Sequence, residues 1–144
     1  TASLYAGLAF GSAATGMVHG LAMPLGGQFN VPHGVANSVL LPYVMRWNMV
    51  SALDRYRDIA IAMGERVEHL PVRTGAERAV HAVEALSRDI GIPAFLDDLD
   101  IPRSAIESLA SDGMTNSRQV LPNPRDVTYE GLVGILENAF RKEA

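Results

Sequence analysis

Apolar residues recur at helical spacing along almost the whole chain, and prolines and glycines cut that pattern into pieces. A punctuated period of this kind specifies packed helices and little else. Residues 2–15 are rich in Ala, Leu and Gly and apolar on most faces, the pattern of a central buried helix. Small residues continue to Ala22; Pro24 then ends or kinks the segment, and Gly26 and Gly27 mark a turn. A helix over 34–48 carries Val35, Val39, Leu40, Val44 and Met45, with Pro42 as a kink. Ser51 and Asp54 have capping-box spacing before a helix bearing Leu53, Tyr56, Ile59, Ala60 and Met63, which Gly64 closes. Thr74 and Glu77 repeat that spacing before a helix whose Ala79, Val80, Val83, Leu86 and Ile90 share a face, stopped by Gly91 and Pro93. Pro102 opens a short helix that ends at Gly113, and residues 114–127 read as a loop. A last helix, about 128–142, puts Leu132, Leu136, Ala139 and Phe140 on one stripe. Alternation of β-branched residues is sustained nowhere. The expected fold is all-α: one domain, residues 1–144, a bundle of about six helices.

Composition narrows the function classes. The 144 residues are enough to bury a core, and 48% hydrophobic with 19% charged is the balance of an ordinary soluble domain. Net charge is −4 with no run of Lys or Arg, which argues against nucleic acid or an anionic membrane as partner. Without cysteine there is neither a disulfide framework nor a thiolate metal site, and a cytoplasmic location is the default expectation. No apolar stretch is long enough to span a bilayer, and no signal peptide opens the chain. The start at Thr1, inside an apolar run, reads as a piece cut from a longer protein. Apolar surface left on that opening helix predicts self-association into a homo-oligomer.

The chemistry concentrates in His19 and His33. His19 lies in a helix of small residues, which lets another helix or a ligand approach closely. His33 follows Pro32 at the start of the next helix. Alone, each fits an ordinary role: a core imidazole bonded to a backbone carbonyl, or a residue at a helix cap. Together, with a proline and a glycine pair between them, they can converge on one point and form half a metal site. A zinc- or iron-type site needs three or four ligands, and no Asp or Glu occurs before Asp54. His81 falls on a polar helix face and His69 in a loop beside Pro71, so neither is a candidate to complete it.

The stretch from Gly16 to Met45, with its Val-His-Gly-Leu-Ala-Met-Pro-Leu-Gly-Gly-Gln-Phe-Asn-Val-Pro-His-Gly centre, resembles the signature of the iron-containing (group III) alcohol dehydrogenases. Asn123-Pro124-Arg125 ahead of the terminal helix resembles the tail of the same family. The resemblance covers essentially the whole chain. It implies the all-helical C-terminal domain of the dehydroquinate synthase-like fold, paired in the parent with an α/β domain that binds NAD or NADP. It further implies a divalent metal, iron foremost with zinc as an option, held by one Asp and three His. Two of those His match His19 and His33; the Asp and the first His fall on a helix upstream of Thr1. Many members carry another His four residues after the one matching His19, near the nicotinamide, where this chain has Met23. The implied reaction interconverts a small alcohol and an aldehyde or ketone, with the isolated chain inactive. Two other readings stay open at this point: a metal-free helical packing module, and a domain of a related glycerol dehydrogenase, maleylacetate reductase or dehydroquinate synthase.

Overall fold

The computed structural model describes residues 1–141. They form eight α-helices: α1 (Ala2–Ala13), α2 (Met17–Phe29), α3 (His33–Met49), α4 (Leu53–Ala62), α5 (Val72–Asp89), α6 (Ile106–Thr115), α7 (Ser117–Val120) and α8 (Tyr129–Asn138). Two 3₁₀ turns, Leu96–Leu99 and Arg103–Ala105, link α5 to α6, and no strand occurs among the described residues. The all-α expectation holds. The count rises from six because the chain breaks at Ala14 to Gly16, where Ala14 (φ 60) and Gly16 (φ 72) take left-handed backbone, and because α7 interrupts the expected 114–127 loop.

Two apolar clusters organise the bundle. The larger joins α2, α3, α6 and α8 around Leu21, Leu25, Leu40, Leu109 and Leu136, with Leu96 and Phe140 sealing one end. The smaller packs the end of α3 (Met45, Met49) and Tyr56 and Ala60 of α4 against Val67 and Ala76, Ala79 and Val80 of α5. The α8 stripe of Leu132, Leu136, Ala139 and Phe140 is buried throughout, and Thr128 caps that helix by accepting the Gly131 N–H at 3.0 Å. The helix stops at Asn138, short of the expected end near 142: Ala139 and Phe140 form a turn and a bend, and residue 142 lies outside the described residues.

Several local expectations fail for identifiable reasons. Pro42 lies inside α3 as expected, but Pro24 does not end its helix: it is buried within α2, where tertiary packing outweighs the hydrogen bond it removes. The reversal expected at Gly26 and Gly27 occurs instead at Asn30, in the left-handed region (φ 55), its N–H donating to the Gly26 carbonyl at 3.1 Å. Neither expected capping box forms. The residue before α4 is Ala52, without a side-chain cap, and Pro71 starts α5 early enough to put Thr74 and Glu77 inside it. On α5, Leu86 is 52% and Ile90 64% exposed, because the shorter α4 covers only the first part of the longer helix.

The opening helix departs most. None of α1 is buried, and Leu4, Tyr5, Leu8 and Phe10 all face outward. A helix apolar on most faces has no single face to dock. No single helix is long and apolar enough to cross a membrane; α1 and α2 qualify only as a pair, by length and composition, and they meet at 96°.

Candidate functional site

His19 lies in the first turn of α2 and His33 is the first residue of α3. The left-handed Asn30, the buried Val31 and the fixed φ of Pro32 fold the chain back between them. Their ring centroids lie 5.2 Å apart with the planes at 62°. The Nδ1 atom of His19 is buried and has no hydrogen-bond partner. Burial, and secondarily the nearby His33, lowers the pKa of His19, so the ring is neutral around pH 7. A half-buried, neutral imidazole whose buried Nδ1 lacks a partner is a metal-ligand type of donor.

His33 has a positioning partner that the sequence alone does not single out. The Asn37 amide lies one turn along α3, with Nδ2 donating to the His33 carbonyl at 2.8 Å and lying 3.1 Å from His33 Nε2. The Asn37 amide thus stands beside the ring nitrogen of His33 that faces it. The only available signal was the four-residue spacing of Asn37 from His33. Neither imidazole bonds to a backbone carbonyl among the described residues.

The two rings open onto a cleft of about 1130 Å³, whose wall includes Phe10 and Ser12 of α1, Met23 one turn beyond His19, and Arg118 and Gln119 of α7. Met23 lines the cleft, whereas Phe29 packs against the larger core. The Asn116 amide holds α7 against α2 by donating to the Gly20 carbonyl at 3.2 Å. His81 is exposed on α5 and His69 lies in the loop before it, so neither joins the pair. Among the described residues no three His, Cys, Asp or Glu side chains converge. The donor set therefore fits a divalent cation in kind and supplies two ligands.

The Asn123-Pro124-Arg125 segment acts on the first turn of α2. Asn123 and the buried Asn48 exchange amide hydrogen bonds at 2.7 and 2.9 Å, and Asn123 Oδ1 also accepts the Met17 N–H at 3.4 Å. Arg125 stacks on the Trp47 ring at 3.6 Å and donates to the Trp47 carbonyl. The tail motif thus clamps α2, and with it His19, against α3.

Comparison with known proteins agrees with this geometry. Residues 1–140 match the model of the Fe-containing alcohol dehydrogenase family, C-terminal part. The chain is 42% identical to lactaldehyde reductase of Escherichia coli K12 over 135 residues, covering 94% of this chain and 35% of that protein. It is 41% identical to 1,3-propanediol dehydrogenase of Citrobacter freundii over 139 residues, covering 96% of this chain and 36% of that one. A crystal structure of 1,3-propanediol oxidoreductase superposes with a TM-score of 0.93 at 40% identity, over 96% of this chain and 36% of that one. An alcohol dehydrogenase from Oenococcus oeni gives 0.90 at 36% identity, over 94% and 35%. The chain belongs to the iron-containing alcohol dehydrogenase family and corresponds to its C-terminal part. It spans about a third of the length of the curated relatives it matches.

Proposed function

We propose that this chain is the metal-binding part of an NAD(P)-dependent alcohol dehydrogenase acting on small alcohols and aldehydes or ketones. The observation that carries the reading is the His19–His33 pair, 5.2 Å between ring centres, with a buried His19 nitrogen lacking any partner. When bound, a divalent cation (iron, or zinc) polarises the substrate oxygen and the nicotinamide of NAD or NADP exchanges the hydride. The chain's own residues do the rest. Burial keeps His19 deprotonated and ready to donate a lone pair. The Asn37 amide stands against the His33 ring. Met23 and Phe10 give the cleft apolar wall beside the histidines. Met23 has no titratable proton, so no proton relay passes through that position.

Titration with Zn(II), followed through the imidazole resonances of all four histidines, tests the reading. Signals of His19 and His33 should move together, with weak affinity, while those of His69 and His81 stay put; His19→Ala should abolish the response. Zn(II) that moves neither ring overturns it. The chain by itself should show no turnover with alcohol, NAD or NADP and Fe(II), since two ligands hold a cation poorly. Robust nicotinamide reduction would reverse that expectation. The exposed apolar face of α1 should drive self-association, read by sedimentation; a monomer that persists at high concentration, or a Leu8→Glu chain that associates equally well, removes that part.

A further inference from the structure

The second helix starts without a cap of its own. Its N-cap is Gly16, which has no side chain and sits in the left-handed region (φ 72), and no acidic residue occupies the first turn. The first N–H groups of a helix have no intrahelical acceptor, so an uncapped start frays. In α2 the acceptor comes from far along the chain: the Met17 N–H donates to Asn123 Oδ1 at 3.4 Å, across 106 residues. His19 is the third residue of the same helix, so it lies within the turn that this bond closes.

The Asn123 amide is fixed in that task from every side. Its Nδ2 donates to Asn48 Oδ1 and to the Arg125 carbonyl, both at 2.7 Å, and its Oδ1 accepts from Asn48 Nδ2 at 2.9 Å as well as from Met17. Both donors and both lone pairs are thereby used. A turned amide would set its oxygen against the Arg125 carbonyl, so one orientation alone satisfies the group. Arg125 is itself held by the ring and the carbonyl of Trp47. Asn48 is 6% exposed, the one buried polar residue among the described residues. Replacing both partners of a buried hydrogen bond by apolar groups of the same shape is nearly neutral for stability. An apolar pair could not accept the Met17 N–H, so the distinctive product of this amide pair is the position of the first turn of α2.

We infer that Asn123 is a positioning residue for the cation site: a helix cap supplied from the tail, which with Asn48 holds the first turn of α2 and sets the His19 ring where it meets His33, 5.2 Å between centroids. It acts through the backbone that carries His19, as groups behind metal ligands do when they fix a ligand's orientation. The inference rests on the alcohol dehydrogenase reading above, in which His19 and His33 bind the cation.

The test uses this chain and Zn(II). Affinity is read from the His19 and His33 ring signals, and the first turn of α2 from hydrogen exchange at the Met17 amide. Asn123→Ala should weaken Zn(II) binding at least about fivefold and speed Met17 exchange at least about tenfold. Asn48→Leu combined with Asn123→Leu fills the same space with apolar groups. That double variant should keep the helical circular dichroism and a urea midpoint near that of the unsubstituted chain, yet lose Zn(II) affinity and Met17 protection as Asn123→Ala does. Asn123→Asp keeps an oxygen for the Met17 N–H and should hold both readouts within about twofold of the unsubstituted chain. Coupling is reciprocal, so saturating Zn(II) should slow Met17 exchange in the unsubstituted chain, an arm that needs no variant. Full Zn(II) affinity in the double leucine variant, Asn123→Asp losing as much as Asn123→Ala, or Met17 exchange indifferent to Zn(II) overturns the inference. A Zn(II) response that persists undiminished in Asn123→Ala removes this inference alone and leaves the dehydrogenase reading standing. No Zn(II) response on either ring of the unsubstituted chain removes that reading, and the inference with it.

Discussion

The first helix and the last are both short and apolar, yet they occupy opposite environments. α1, 12 residues long, carries Leu4, Tyr5, Leu8 and Phe10 and buries none of them. α8, with 10 residues, buries Leu132, Ile135 and Leu136 and leads into the buried Ala139 and Phe140. The difference lies in how the apolar residues are arranged. In α8 they share one side, and Glu130, Glu137 and Asn138 take the other. In α1 the apolar residues run round the helix among Ser and Gly, so no orientation hides them all. Apolar content promotes burial only when it points one way, or when a partner surrounds the helix.

The sharpest way to break this comparison is to cut the same side chain from each end. Phe140→Ala should destabilise the fold by about 3–5 kcal/mol in urea denaturation, since Phe140 is 1% exposed. Phe10→Ala should cost less than about 0.5 kcal/mol, because Phe10 is 57% exposed. Equal losses would show that α1 packs in solution. Glycines give a second contrast. A Cβ at Gly131 would come within 2.6 Å of the Trp47 ring, which Arg125 covers, so Gly131→Ala should cost about 1–3 kcal/mol. Gly7 has nothing within 4 Å, and Gly7→Ala should protect the α1 amides from hydrogen exchange by about 0.5–1 kcal/mol. Loss of protection there would mean that α1 sits against something. The smallest effect concerns tyrosine. Tyr56 on α4 is buried, and burial pushes its phenol up to about 12. The unfolded chain ionises near 10, so below that pH the stability is fully present, and it declines as pH rises from about 10 towards 12. Tyr56→Phe should flatten that decline in chemical denaturation; an unchanged slope would take Tyr56 out of the buried set.

Much of the candidate site was legible in the residues. His19 and His33 stood out because imidazoles are few and this pair flanks a proline and glycine pair. The convergence itself depended on a turn placed wrongly: the chain reverses at Asn30, and the glycines stay helical. Asn37 escaped notice because its role comes from what stands beside it, and an asparagine on a helix is ordinary until its neighbours are known. The tail motif was visible as a likeness, while its work as a clamp through Asn48 and Met17 required coordinates.

The sequence by itself determined the all-α class, the buried α8 stripe, the two histidines and the family, because periodicity, residue chemistry and a long shared motif are properties of neighbours along the chain. Tertiary structure decided that α2 runs on through Pro24, how far α5 is covered, where α1 lies, and that α7 borders the histidine cleft. Those outcomes depend on whether segments distant in sequence meet, and packing energy, which overrides local propensity, exists only once they do.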